Sequence, residues 1–398
     1  TGVVTSTGHT ISSNYVVNCA GMWARQLGER CGVLIPNQAA EHYYLITEAM
    51  EDIDPTWPVI EDPSSYTYIR PEGSGLMVGL FEPNAKAWNT KSIPNHFSFG
   101  EIEPDWDRLG PYVEKAMSRV PKTLSTGIKK LFCGPESFTP DLNPIVGESS
   151  ELLNYFVAAG LNSIGILSGG GIGRLLAHWI IHGQPDCDVS SMNIQRFSSY
   201  HNNIKYRNDR TSETLGLVYH SHYPYYNYQS TRLIKRSPFY NQLINNHNAI
   251  NKETNGWEAP DFYLDNPLDS TTSLSDIYNT WERPVWFDNW KNEHVECRNN
   301  FAIFDMSFMS KFIIEGKDAT KALNYLCTSN INHDNTITYT QLLNDNGYVQ
   351  GDVTIAKLAG SSIGGNEKYL LVGTDTQHNQ LHVYLKRNLN PYGNFNVN

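Results

Sequence analysis

Residues 158–173 read AAGLNSIGILSGGGIG. An apolar run, Asn154–Gly160 (NYFVAAG), leads into this stretch, and Ile172–His182 follows with apolar residues at 172, 175, 176, 179 and 180. A short apolar run suits a buried strand, and the later spacing is helical. The order is therefore strand, glycine-dense loop, helix, the unit of an α/β or α+β domain. Such a loop lets backbone approach a ligand closely and turns free helix N-terminal amides toward an anion or an electron-rich ring. Tight helix–strand packing explains the glycines equally well, and the residues alone leave both readings open. The spacing is not GxGxxG and the unit lies late in its domain, so it is not the primary pyrophosphate fingerprint of a dinucleotide fold. Gly183 sits where a helix C-terminal cap belongs, with Pro185 just beyond.

Upstream, Tyr15–Gly21 (YVVNCAG) repeats the pattern of a strand ending in a small-residue turn, and Met22–Cys31 continues with helical spacing. His42–Thr47 (HYYLIT), Tyr66–Arg70 (YTYIR) and Leu76–Phe81 (LMVGLF) read as strands, the last two joined through PEGSG, a hairpin signal. Asp105–Val120 reads as an amphipathic helix despite Gly110 and Pro111. Residues 188–245 change character, rich in Tyr, Asn, Ser and His with little periodicity, as in a connector packed on its neighbours. Beyond Glu293 regular patterns return. They predict a helix to Asn300, strands at Ala302–Asp305 and Ser310–Glu315, a helix at Asp318–Thr328, then strands near Thr336–Leu343, Val349–Lys357 and Tyr369–Thr374. The expected division is 1–187, 188–245 and 246–398.

Composition narrows the function. The chain has 398 residues, enough for two or three domains, and its 30 Lys+Arg against 41 Asp+Glu give a net charge of −11. No basic run suggests a nucleic-acid groove, and no apolar run approaches the roughly 20 residues of a membrane-spanning helix. Nucleic acid and membrane are not expected partners. Six cysteines without a CxxC pair suggest buried, reduced thiols rather than a zinc knuckle or disulfide framework. His178 and His182 lie four apart on one helix, but no third ligand is nearby and no metal is assigned. No GxSxG, HExxH, P-loop or kinase motif occurs, which leaves hydrolase and phosphotransferase chemistry unsupported. The chain opens at Thr1, already in a strand-like run, and closes at Asn398 on polar coil, so it reads as a fragment.

Several stretches in order carry a specific resemblance: VVNCAGMWAR (16–25), GPESFTPDLNPIVGE (134–148), GLNSIGILSGGGIG (160–173), RTSETLG (210–216), RSPFY (236–240), GWEAP (256–260) and FDMSFMSKF (304–312). Together they resemble the FAD-dependent dimethylglycine/sarcosine dehydrogenase family over nearly the whole chain. The implied fold is α+β / α/β: the C-terminal part of a DAO-type FAD-dependent oxidoreductase domain, a central connector, and an incomplete aminomethyltransferase-like folate-binding domain. The implied cofactors are FAD and tetrahydrofolate. The implied reaction removes a hydride equivalent from the N-methyl carbon of a small N-methyl amino acid. Electrons would pass to an electron-transfer flavoprotein or oxygen.

The resemblance also assigns residues. Gly21, Trp23, Leu161, Asn162, Ser163, Ile164, Gly165 and Ile166 would contact the flavin, and the turn containing Gly169, Gly170 and Gly171 would complete that wall. His42 and Tyr44 lie where the family carries an active-site tyrosine strand, Tyr44 orienting the amine. Arg70 is a candidate partner for the substrate carboxylate, a role no family motif supplies. Asp352 matches the catalytic carboxylate of the aminomethyltransferase domain. The dinucleotide fingerprint and the upstream histidine that several members link to flavin are not among these residues. The family is mitochondrial in eukaryotes, which points to the matrix, and cytoplasmic in bacteria. A regulatory protein on the same scaffold, like the regulatory subunit of pyruvate dehydrogenase phosphatase, is the alternative.

Overall fold

The computed structural model describes residues 2–88, 91–269, 271–331, 336–358, 367–389 and 395–397. Among these residues the strands form five sheets. The chain divides into two units, residues 1–231 with 274–282, and residues 232–273 with 283–398.

In the first unit, β1 (Gly2–Val4) and β2 (Thr10–Ser12) make a small hairpin. β3 (Val16–Asn18) leads through a 3-10 turn, Gly21–Trp23, into α1 (Ala24–Glu29). A five-stranded antiparallel sheet follows: β4 (Gln38–Thr47), β5 (Ile60–Asp62), β6 (Thr67–Glu72), β7 (Gly75–Leu80) and β8 (Ile128–Phe138), in the order β5-β6-β7-β4-β8. β6 and β7 are the hairpin that PEGSG predicts. One face of this sheet buries Tyr43, Leu45, Ile69, Val78, Leu80, Leu131 and Cys133 against Leu109, Val113, Ala116 and Met117 of α2 (Trp106–Met117). Burying each such side chain contributes about 1.5–3 kcal/mol, so alternation along β4 fixes which residues face the helix and which the other way. α2 runs through Pro111, the sixth of its twelve residues, and Asp105 caps its N-terminus by accepting from the Arg108 amide at 3.1 Å.

β9 (Ile145–Glu148) and β10 (Tyr155–Ala159) complete a second sheet, β3-β10-β9, in which β3 and β10 are parallel neighbours with Asn18 opposite Val157. Ile145, Val157 and Ala159 face Ala24, Ile35 and Phe197 on one side, and Val146 and Phe156 face Leu175 and Leu176 on the other. Those two leucines belong to α3 (Gly165–His182), capped by Gly183 in the left-handed region at φ 76°. α3 begins seven residues earlier than its apolar spacing predicts. Gly169, Gly170 and Gly171 are therefore helical and do not form a turn. Each glycine costs about 1 kcal/mol relative to alanine in a helix, but no proline interrupts the chain between Pro144 and Pro185, and Leu175, Leu176, Ile172 and Trp179 anchor the helix on its sheet. α4 (Ile204–Leu217) lies within the stretch that reads as an aperiodic connector, and its Leu215 packs on Ala40, Phe81 and Phe138.

In the second unit, β11 (Lys235–Arg236), β12 (Ala249–Thr254) and β13 (Trp257–Tyr263) form a small sheet beside α5 (Tyr240–His247). α6 (Leu274–Tyr278) belongs to the first unit, and α7 (Phe287–Asn299) follows it in sequence. The main sheet is antiparallel: β14 (Ser310–Gly316), β15 (Ile337–Leu343), β16 (Val349–Lys357), β17 (Glu367–Gly373) and β18 (Phe395–Val397), in the order β15-β16-β17-β14-β18. α8 (Ala319–Leu326) and α9 (His378–Leu389) cover one face through Leu323, Leu326, Leu381, Leu385 and Leu389. Residues 302–305, expected as a strand, carry no regular structure, and Ile303 and Phe304 are exposed rather than packed in a sheet. The six cysteines are free, as expected, but four are exposed and only Cys133 is fully buried.

Candidate functional site

The parallel pair β3 and β10 ends at one edge of its sheet, the position at which open α/β sheets receive ligands. After β3, Asn18 holds the turn: its Nδ2 donates to Ala24 O at 2.9 Å and lies 3.0 Å from Tyr155 Oη, and its Oδ1 accepts from the Ala20 amide at 3.1 Å. After β10, Gly160 adopts φ 62°, and a Cβ there would overlap Thr139, so only glycine fits. Leu161–Ile164 then turn into the first residues of α3, Gly165 and Ile166.

Ser137 of β8 ties the two turns together. Its Oγ accepts from Asn37 Nδ2 at 2.9 Å, and Asn37 Nδ2 also donates to Gly21 O at 3.1 Å. Its carbonyl accepts from the Asn162 amide at 3.2 Å, while Asn162 Oδ1 accepts from the Thr139 amide at 2.8 Å. Gly21, Trp23 and Leu161–Ile166, more than a hundred residues apart, thus gather at one end of β8. Gly169–Gly171 lie further along α3. Its N-terminal half is bare, with Ile166 and Leu167 among the most exposed apolar side chains of the chain.

The five-stranded sheet contributes the face opposite α2. Strand alternation places His42 and Tyr44 on it from β4, Phe132 and Glu136 from β8, and Tyr68 and Arg70 from β6. The half-buried Tyr44 stacks on Phe132, ring centroids 4.7 Å apart. A Cβ at Gly79 would fall inside the Tyr68 ring, so this glycine lets Tyr68 lie flat on the sheet. Burial pushes the Tyr68 hydroxyl up to about 12, with Tyr219, Glu136 and Tyr44 adding to the rise and Arg70 opposing it. His42 packs on Phe81, centroids 4.3 Å apart, and its Nδ1 lies 2.9 Å from Glu136 Oε2. His42 Nε2 is buried without a protein partner, as is Asn37 Oδ1.

Arg70 is engaged locally, with Nη1 2.7 Å from Glu72 and 3.1 Å from the Pro71 carbonyl. Asp352 lies in the second unit, exposed on the sheet face away from α8 and α9, and its carboxylate raises the neighbouring Tyr339 hydroxyl above its ordinary range. The structure therefore groups His42, Tyr44 and Arg70 on one sheet face and Gly21, Trp23 and Leu161–Ile166 at one set of strand ends. Glu136, Tyr68, Phe132 and Ser137 were not singled out from sequence. The two-residue alternation along 132, 134 and 136 is the signal that would have placed Glu136 on the His42 face.

Behind the sheet, Arg108 bridges Glu82 at 2.6 Å and Glu41 at 3.3 Å, and Tyr43 donates to Glu41 at 2.6 Å. Burial raises the Glu82 carboxyl above its ordinary range, and Arg108 only partly offsets it. This network fastens α2 to β4 on the side away from the open face. Among the described residues no group of three His, Cys, Asp or Glu is placed to hold a metal, and no helix is long and apolar enough to cross a membrane.

Comparison with known proteins finds three matching family models. A family model described as FAD dependent oxidoreductase matches residues 1–179, one described as FAD dependent oxidoreductase central domain matches 182–237, and the GCVT N-terminal domain matches 240–398. The mitochondrial sarcosine dehydrogenase of Mus musculus is 34% identical over 94% of this chain and 44% of its own length. The formaldehyde-forming 4-methylaminobutanoate oxidase of Paenarthrobacter nicotinovorans is 36% identical over 97% of the chain and 45% of its own. The mitochondrial pyruvate dehydrogenase phosphatase regulatory subunit of Mus musculus is 33% identical over 95% and 42%. The chain spans less than half the length of these curated relatives. The two partnerless buried atoms and the bare flank of α3 fit a flat, hydrogen-bonding cofactor such as FAD.

Proposed function

The chain belongs to the FAD-dependent dimethylglycine/sarcosine dehydrogenase family, and from that premise we propose that the protein oxidises a small N-methyl amino acid and passes the one-carbon unit to tetrahydrofolate. One observation carries this reading: loops from Gly21 and Leu161 meet at the same end of β8 that presents His42 and, two residues along β4, Tyr44. FAD, when bound, supplies a hydride acceptor for the N-methyl carbon. Gly21, Trp23 and Leu161–Ile166 are the residues that would hold it, with α3 beside them.

Hydride loss from an N-methyl carbon needs the amine lone pair free, so the substrate ammonium must give up its proton. His42 Nε2 is the group proposed to accept it. Tyr44 would orient the amine on the stacked floor it shares with Phe132. Tyr68 stays protonated at neutral pH and offers a hydroxyl rather than a charge. Arg70 would bind the carboxylate by exchanging Glu72 for it, and both side chains are exposed enough to do so. The iminium product then either meets water and yields formaldehyde or reaches tetrahydrofolate, where Asp352 would stabilise developing positive charge on nitrogen.

Electron-transfer flavoprotein or oxygen is the proposed acceptor and the mitochondrial matrix the proposed compartment, the latter supported by mitochondrial relatives. The regulatory subunit among the relatives supports a second reading, a non-catalytic regulator on this scaffold. The deciding measurement is the visible spectrum of the purified protein before and after anaerobic addition of dimethylglycine, sarcosine and 4-methylaminobutanoate. Bleaching of a flavin band by one of these amines is expected. A protein without flavin, or with flavin untouched by all three, overturns the dehydrogenase reading in favour of the regulator.

A further inference from the structure

His42 and Glu136 stand on neighbouring antiparallel strands, with His42 opposite Gly134 and Glu136 one same-face position further along β8. That diagonal pairing is within reach of long side chains, and His42 Nδ1 lies 2.9 Å from Glu136 Oε2. Phe81 packs on the ring at 4.3 Å, which limits how far it can turn. The other nitrogen, Nε2, is buried and has no partner in the protein.

The hydroxyl of Ser163, in the turn between β10 and α3, is near enough to favour the charged form of Glu136. Burial alone would raise this carboxyl, but the neighbouring His42 imidazole, through its donor and its charge, and then the Ser163 hydroxyl outweigh it and hold it below the usual carboxylate range. One carboxylate therefore lies against a residue of the open sheet face and is influenced by a residue of the loop that follows β10. Asn162, next in the chain, is pinned to β8 through Thr139 and the Ser137 carbonyl, so the loop is held independently of Glu136.

We propose that Glu136 is a positioning residue for His42, holding the neutral imidazole as the Nδ1–H tautomer so that the Nε2 lone pair faces the site. A carboxylate bound to one ring nitrogen sets which nitrogen keeps the proton. Without it, neutral imidazole reverts to its ordinary preference for Nε2–H, and the nitrogen facing the site becomes a donor instead of an acceptor. Ser163 links this orientation to the position of the β10–α3 loop. The inference rests on the reading that His42 faces the amine, but the 2.9 Å approach of Nδ1 to Oε2 stands apart from any catalysis.

The test is long-range proton–nitrogen NMR of the imidazoles in the flavin-loaded protein. H42N assigns the His42 signal among 13 histidines. The wild type is expected to show the Nδ1–H pattern, E136A the Nε2–H pattern, and E136Q, whose amide oxygen can still accept, the Nδ1–H pattern again. In parallel, the rate of flavin reduction at saturating amine is expected to fall at least tenfold in E136A, with substrate affinity nearly unchanged and partial rescue in E136Q. An Nε2–H pattern in the wild type, or one pattern in wild type and E136A alike, overturns the proposal. If no N-methyl amine reduces the wild-type flavin, the dehydrogenase reading falls, and the NMR comparison still decides the role of Glu136.

Discussion

The backbone amide of Thr139 donates to the side-chain Oδ1 of Asn162 at 2.8 Å, joining the end of β8 to the turn that opens α3. Both groups are buried, and Asn162 holds φ 50°, in the left-handed region. A polar side chain thus does for the turn what a neighbouring strand does within a sheet: it gives a buried amide its acceptor. The same Asn162 returns its own Nδ2 to the Gly160 carbonyl at 2.9 Å.

Asn162→Ala is therefore expected to lower stability by about 1–3 kcal/mol, the cost of leaving a buried amide unpaired. Asn162→Gly loses the same bonds but not the left-handed conformation, so it should be the milder variant by about 1 kcal/mol. Urea unfolding of the two variants checks the order. Equal midpoints would show that backbone conformation contributes nothing at this turn.

Tyr68 and Gly79 should behave as a coupled pair. Gly79→Ala forces the ring off the sheet and is expected to cost about 1–3 kcal/mol. In a Tyr68→Ala background the same change should cost under about 0.5 kcal/mol, because the ring it displaced is gone. A double-mutant cycle by chemical denaturation reads the coupling directly.

Stability of the second unit should carry a pH dependence from Glu258. Its side chain is 1% exposed, ion-paired with Arg232, and accepts from the Leu233 amide at 2.8 Å. Burial raises its carboxyl, yet Arg232 and that amide prevail and hold it below the usual range. A folded pKa below the unfolded value near about 4.3 means the contribution is present above that pH and is lost as pH falls through the folded value. Glu258→Ala, which takes the carboxylate away from Arg232, is expected to cost about 3–5 kcal/mol at pH 7. The gap from wild type should narrow below pH ~4, as thermal unfolding across pH 3–7 would show.

Asp352 is exposed, and Asp352→Asn should shift stability by no more than about 0.5 kcal/mol. On the proposed function it should leave flavin reduction by the amine unchanged while lowering methylene-folate formation at least tenfold, with formaldehyde rising in its place. Product analysis with and without tetrahydrofolate checks this, and unchanged folate product would remove Asp352 from the mechanism.

Strand positions were readable because each rests on local alternation. His42–Thr47 lies inside β4, Val349–Lys357 is β16 as expected, and PEGSG makes its hairpin. The start of α3 was not readable, since the penalty on Gly169–Gly171 is local and visible whereas the packing of Leu175 and Leu176 that overcomes it comes from a distant sheet. Residues 302–305 failed in the opposite sense: their apolar composition suits a strand, but no neighbouring strand pairs with them.

The amino-acid sequence by itself determined the order of domains, the strand-to-helix turns after Asn18 and Ala159, and the candidates His42, Tyr44 and Asp352. Only the tertiary structure decided which of them share a surface. Register between β4 and β8 set Glu136 beside His42, the β6–β7 hairpin laid Tyr68 over Gly79, and Ser137 drew the Gly21 and Leu161 turns to one end of a strand. These are pairings between residues far apart in the chain. They depend on hydrogen-bond register and on which face each strand buries, quantities no local window of sequence contains.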